Sequence, residues 1–221
     1  VKAGTASMSL VQSNYKGTPA YRAALLTSGS ERADRYFVLR DTILCYSSLG
    51  LEPLYFRKGS RHDKQYTVDE VFYSYANNKP TLKQHRQRRD GEHEWKTTTF
   101  NECVYDMLNI VLRARSFNPE GWKTGNTISF TIADGRHIQK ALLRYNGKKV
   151  IKADNGKKYR CLELSYLEQE EKKNKEIIRF FVTDDSNHVP IRLDMFLKFG
   201  SAKAFLVGMK GIKNAISSEV Q

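Results

Sequence analysis

The stretch ISFTIADGRHIQKALLRYNGKKVIKADNGKKYRCLELSYL, residues 128–167, decides the fold. Ile128, Phe130 and Ile132 alternate with Ser129 and Thr131, and Tyr159–Leu167 reads as another strand. A period of two sets one face of an extended chain on a core and the other toward water. Asp134-Gly135, Asn146-Gly147 and Asn155-Gly156 punctuate the run with residues that tolerate positive φ, as tight hairpins require. A two-residue loop at Asn155-Gly156 sets Asp154 opposite Lys157 and Val150 opposite Cys161. A three-residue loop at Asp134-Gly135 pairs Ile132 with Ile138 and Ile128 with Leu142.

Working outward, IRLDMFLKF (Ile191–Phe199) repeats the alternation, and IIRFFVT (Ile177–Thr183) and AKAFLVGM (Ala202–Met209) read as further strands. From Asn126 to Met209 the expectation is about seven sequential strands in an up-and-down meander. In the first half, strands are expected over Thr5–Asn14, Ala20–Thr27, Tyr66–Ala76, Thr81–Arg89 and His93–Phe100, while Asp34–Ser48 reads equally as helix or strand. VYDMLNIVLRARSF predicts an amphipathic helix over about 104–117, with Val104, Met107, Leu108, Val111 and Leu112 on one stripe. Asn101 serves as its N-cap, Glu102 suits its first turn, Arg113 and Arg115 its last, and Asn118-Pro119 stops it.

The fold class is therefore mainly β, an antiparallel meander forming a curved or barrel-like sheet with that helix packed against it. All 221 residues read as a single β-barrel-like domain, divisible into an N-terminal half 1–118, a C-terminal meander 119–213 and a polar tail 214–221. Hydrophobic residues at 40% and aromatics at 11% exclude wholesale disorder. No apolar run approaches the roughly 18 residues that a membrane-spanning helix needs. The opening VKAGTASMSL reads as one strand running into the next, so the sequence is expected to begin inside a longer precursor.

The formal net charge of +13 is concentrated. Arg136, Lys140, Arg144, Lys148, Lys149, Lys152, Lys157, Lys158 and Arg160 stand against one acid, Asp154, and nine minus one gives +8 in that stretch. KQHRQRR, residues 83–89, adds Arg86 and Arg88. Such a surface attracts anions, although a solvated strand face with solubilising lysines has the same composition.

Catalytic and metal chemistry find little support. Read with Asp90-Gly91 as a two-residue turn, His85 faces Lys96 and Arg88 faces His93, so His85 and His93 fall on opposite faces. The same register sets Arg86 beside Trp95 as a cation–π pair. Asp184 and Asp185 resemble an acid/base or Ca²⁺ pair, but adjacent strand carboxylates point apart, and DDSNHVP reads as a turn. Asp106, within the apolar helix stripe, reads as a structural carboxylate paired with Arg113 or a strand-borne base. Cys45, Cys103 and Cys161 match no zinc spacing; they read as buried small hydrophobes, with a disulfide open in an oxidising compartment. Tyr66, Phe72, Tyr73 and Tyr75 could line a pocket or fill a core. Neither a nucleophile motif nor a phosphate-binding loop is visible, so no enzyme activity and no cofactor are expected.

Together AGTASMSL, Arg40-Asp41-Thr42, LEPLYFRKG, VYDMLNIVLRARSF and VTDDSNHVPIRLDMFLKFGSAKAFLVGMKG resemble an exported bacterial family of unknown function, common in gut Bacteroidetes, with a YmcC-like β-barrel fold. The resemblance implies a removed signal peptide, a periplasmic or outer-membrane location and an antiparallel barrel. It carries over no catalytic residue. The functional expectation is non-enzymatic binding of an anionic or amphipathic envelope molecule, such as lipid, lipopolysaccharide or polysaccharide, with peripheral membrane contact. The alternative is a structural or interaction scaffold meeting an envelope protein partner. Nucleic acid is not expected, because aromatics are not interleaved with KQHRQRR.

Overall fold

The structure, a computed structural model, describes residues 3–31, 39–62, 65–169, 173–197 and 200–221. Part of the ambiguous stretch Asp34–Ser48, and Lys198 and Phe199 of the IRLDMFLKF strand, lie outside them. The chain divides into two compact units, Val1–Ser116 with Thr131–Ile138, and Phe117–Phe130 with Gln139–Gln221.

The first unit holds seven sequential antiparallel strands in the order β1-β2-β3-β4-β5-β6-β7. They are β1 (Gly4–Tyr15), β2 (Thr18–Gly29), β3 (Leu39–Ser47), β4 (Pro53–His62), β5 (Gln65–Ala76), β6 (Lys79–Gln87) and β7 (His93–Thr99). Lys16-Gly17 and Asn77-Asn78 close two of the hairpins as two-residue loops with positive φ at both positions, the conformation that matches strand twist. Strand β4 was not visible in the sequence pattern, since PLYFRKGSRH buries Phe56 within a polar run. One face of the sheet carries Ala23, Ile43, Cys45, Phe56, Val71, Tyr73 and Leu82 into a core shared with Val104, Leu108, Leu112 and Ala133.

The expected helix over 104–117 is shorter. Val104 and Tyr105 form β8, which pairs in parallel with Thr131 and Ile132, and the helix α1 spans Asn109–Arg115. Asp106 is the residue that separates them. Its carboxylate accepts the Leu108 and Asn109 backbone N–H groups at 3.0 and 2.8 Å, and its carbonyl accepts from Ile110 at 3.0 Å. It is the functional N-cap, in place of Asn101. The 3.6-residue periodicity runs through the cap because Val104 packs in the same core, while Met107 stays exposed.

The second unit holds a sheet ordered β14-β13-β12-β11-β10-β9. Its strands are β9 (Thr127–Ala133, whose last residues belong to the first unit), β10 (Ile138–Lys152), β11 (Lys158–Gln169), β12 (Asn174–Thr183), β13 (Pro190–Leu197) and β14 (Gly200–Phe205). Among the described residues these are six strands rather than about seven. Asn146-Gly147 is not a turn but a bulge inside β10, where Gly147 has φ of 111° and the register with β11 slips. The Asn155-Gly156 hairpin is a three-residue loop with Gly156 left-handed, so Val150 pairs with Arg160 and Lys149 with Cys161. At Asp134-Gly135 the expected three-residue loop is instead a two-residue one, Gly135-Arg136, since the Asp134 N–H donates to the His137 carbonyl. Gly135 is required there by crowding, since a Cβ would lie 2.6 Å from the His85 carbonyl oxygen. Residues 214–221, read from sequence as a polar tail, carry β15 (Glu219–Val220), which pairs with β11, and the buried Ser218. Neither sheet closes on itself among the described residues.

Candidate functional site

Away from its core, the seven-stranded sheet carries a row of aromatic side chains. Cross-strand pairing puts Tyr46 opposite Tyr55, Tyr55 opposite Phe72, and His85 opposite Trp95. The ring centroids of Tyr15–Tyr46, Tyr46–Tyr55, Tyr55–Phe72 and Phe72–Trp95 lie 5.1, 6.4, 5.1 and 6.3 Å apart. Trp95 is 53% exposed. Lys83 Nζ lies 4.6 Å from its ring centroid, and Lys16 Nζ lies 5.3 Å from that of Tyr15. Arg86, expected beside Trp95, pairs across the strands with Glu94 and lies 3.8 Å from Asp69.

The row ends in a hydrogen-bonded chain that the two-residue Asp90-Gly91 turn would have forbidden. The loop holds three residues, with Gly91 left-handed, so Gln87 faces His93 and His85 faces Trp95. One residue of register turns every side chain to the other face, and it brings His85 and His93 together. His85 Nδ1 is 2.7 Å from Glu70 Oε2, and His85 Nε2 is 2.8 Å from His93 Nδ1. The imidazole planes agree within 4°, and Trp95 stacks on His85 at 4.1 Å. Tyr55 donates its hydroxyl to Glu70 Oε1, with Arg57 Nε 3.8 Å from the same oxygen. Burial and that carboxylate push the Tyr55 phenol well up. His85 is buried and His93 exposed. Three-ligand metal clusters are absent among the described residues. Parallel rings whose nitrogens face each other at hydrogen-bond distance are placed to share one proton.

The basic stretch of the second unit is answered by acids from neighbouring strands. Asp184 takes Lys148 Nζ and Arg160 Nε, each at 2.8 Å. Burial works to raise the Asp184 pKa, and the two cations outweigh it, holding the carboxyl below its ordinary range. Lys149 meets Glu163 at 2.8 Å, and Lys157 meets Glu219 at 2.8 Å. Lys158 Nζ donates to the Gln221 carbonyl at 3.3 Å, and Arg144 Nε donates to Asn146 Oδ1 at 3.0 Å. Arg88 pairs with Glu94 in the first unit. Lys140 and Lys152 lie on β10, with Lys152 opposite Lys158, while Arg136 falls in the first unit. Asp185 points away from Asp184 and accepts from Thr183, Asn187 and Ser218, tying the β12–β13 turn to the chain end.

Asp106 is fully buried. Its oxygens serve the helix start and the Asn109 side chain, at 2.5 Å, rather than Arg113 or a strand-borne base. Burial pushes its pKa up to about 6 against those hydrogen bonds. Cys45 and Cys161 are buried, whereas Cys103 is exposed, and all three are free thiols. Burial raises the Cys161 thiol to about 12 and Cys45 further, which leaves both inert at neutral pH.

An open antiparallel sheet protein with a β-barrel-like fold is the class these features define. Residues 1–207 match the family described as Protein of unknown function (DUF3108), and the chain belongs to that family. It is similar to a solved beta-barrel-like protein of domain of unknown function DUF1849 from Brucella abortus, at 9% identity and a TM-score of 0.50. That match covers 90% of this chain and 94% of the other. At this identity the likeness shows the fold. No curated protein matches the chain.

Proposed function

We propose that the protein is a non-enzymatic binding protein of the cell envelope, and that the aromatic row of the seven-stranded sheet takes an acidic glycan. The observation that carries this reading is the unbroken sequence Tyr15, Tyr46, Tyr55, Phe72, Trp95 on one face, with lysines at both ends. Tyr46, Tyr55 and Phe72 sit on the neighbouring strands β3, β4 and β5, which repeat at about 4.8 Å, and Tyr15 and Trp95 extend the row at either end as a continuous run of mutually tilted rings. Sugar rings present apolar C–H faces that stack on such rings, and their acidic substituents meet the lysines. Aromatics that merely filled a core would not leave Trp95 half exposed. The resemblance to exported proteins with a YmcC-like fold supports an envelope location. The +13 charge supports an anionic ligand.

The test is titration of the protein with dextran sulfate and with neutral dextran, followed by tryptophan fluorescence and calorimetry at low ionic strength. Dextran sulfate is expected to bind and to quench Trp95, and Trp95→Ala to weaken binding about tenfold, the scale of one lost stacking platform. Absence of binding by the wild-type chain at low salt sinks the reading. A scaffold role has one observation of its own. Strand β1 ends the sheet order and exposes Met8, Leu10 and Val11, an edge on which a partner strand could add.

A further inference from the structure

The Glu70–His85–His93 chain fixes where every proton in it must lie. Glu70 accepts from Tyr55 at Oε1 and has Arg57 beside it, donors that set the carboxylate as the acceptor of this chain. His85 Nδ1, at 2.7 Å, must therefore be the donor. A neutral His85 then has a bare lone pair at Nε2, and the 2.8 Å contact requires His93 Nδ1 to carry the hydrogen. A neutral His93 is left with its own lone pair at Nε2. In this state the exposed ring offers an approaching anion an acceptor, which repels it.

One added proton reverses the arrangement. It protonates His93 Nε2, or equivalently leaves His85 doubly protonated with Nε2–H donating to His93 Nδ1 and the hydrogen of His93 on Nε2. Either way His93 Nε2 becomes a donor and the chain gains a positive charge. The groups that face this chain are Tyr55 and Arg57 on β4, Glu70 on β5, Lys83 on β6 and Trp95 on β7, with the Arg88–Glu94 pair at the hairpin end. Lys83 adds attraction for an anion. Glu70 balances the imidazolium from a mostly buried position, its side chain 16% exposed. Histidine is the side chain whose ordinary titration falls between pH 5 and 8.

We propose that His93 is a proton-coupled anion subsite, taking a sulfate, phosphate or carboxylate group of the glycan only when the histidine chain has bound one proton. This rests on the glycan reading above. Its mark is a net uptake of protons on binding, which a row of lysines and aromatics alone would not give.

The experiment uses the full chain and dextran sulfate, whose charge does not change over the range. Binding is measured by calorimetry from pH 5.5 to 7.5, in buffers of different ionisation enthalpy. The wild type is expected to bind several-fold more tightly at pH 5.5, approaching tenfold per pH unit where one proton is fully coupled. About one proton is expected to be taken up per subsite at pH 7.5. His93→Gln, whose side-chain amide can still donate to the buried His85 Nε2, is expected to keep binding to the aromatic row while losing the proton uptake, with the unfolding midpoint measured alongside. His137→Gln, outside the chain, is expected to change neither. Binding with no proton uptake, or uptake that survives His93→Gln, overturns the subsite and leaves the glycan reading standing. No binding at any pH overturns both.

Discussion

The two units treat their carboxylates in opposite ways. In the first, burial raises the pKa values of Asp106 and Asp69, and at Asp69 it outweighs the nearby Arg86 and Lys58. In the second, Asp184, Asp185 and Glu176 hold pKa values below the ordinary range. For Glu176 the Arg179 hydrogen bonds are the main cause, while for the two aspartates hydrogen bonds and, at Asp184, cations outweigh burial. A stretch counted as +8 thus spends much of its charge internally. The outward polar chemistry gathers in the unit whose local charge was less conspicuous.

The largest expected break in that comparison is Asp106→Asn. Folded Asp106 titrates near 6 against an ordinary 3.8, so the native carboxylate is disfavoured relative to the unfolded one. Its contribution is fully present below about pH 4 and is lost as pH rises through about 6. Asparagine caps helices as well as aspartate does. The Asn109 Oδ1 atom, buried without a hydrogen-bond partner, can turn toward the new amide. Urea unfolding should show the variant more stable by about 3 kcal/mol at pH 7.5, on the order of two pKa units, with the gain fading toward pH 4. An unchanged difference across that range would mean that Asp106 is not raised.

Asp184→Asn should act in the opposite sense and less strongly. Its folded pKa is depressed, so its contribution is present above the unfolded value and is lost as pH falls below about 4. Lys148 and Arg160 are about half exposed, and solvent screens the pair. A loss of about 1 kcal/mol at pH 7, shrinking on acidification, is expected in the same unfolding assay. Equal pH slopes for the two variants would erase the contrast between the units.

How much of this was legible beforehand follows from what each signal depends on. The strands over 128–132 and 191–197 stand out because alternation is a local property that the core enforces. The hairpin registers do not, because Asp90-Gly91 and Asn155-Gly156 fit either a two-residue loop or a three-residue loop with a left-handed glycine. That single ambiguity hid the histidine chain and misplaced Trp95. The partners of the basic residues were equally hidden, since Asp184 and Glu163 meet them only across strands. Asp106 was visible as a polar residue in an apolar stripe, but periodicity alone gave no sign that it starts the helix.

The smallest expected effect is the sharpest test of the comparison. Lys149 belongs to the basic stretch that the sequence marks as an anion surface, yet its ammonium lies 2.8 Å from Glu163, whose other oxygen is 3.4 Å from Arg179. Lys149→Ala should change dextran sulfate affinity less than about twofold, since an internally paired surface charge contributes little to an outside ligand. Lys83→Ala, which removes the ammonium over Trp95, should weaken binding by a larger factor of roughly five, the scale of one exposed cation–π contact. Both are read by the same calorimetric titration at fixed ionic strength, because added salt would compress the difference. If Lys149→Ala proved the more damaging, the ligand would sit on the second unit and the aromatic row would be structural. The two lysines therefore decide between local charge and cross-strand pairing as the guide to where an anion binds.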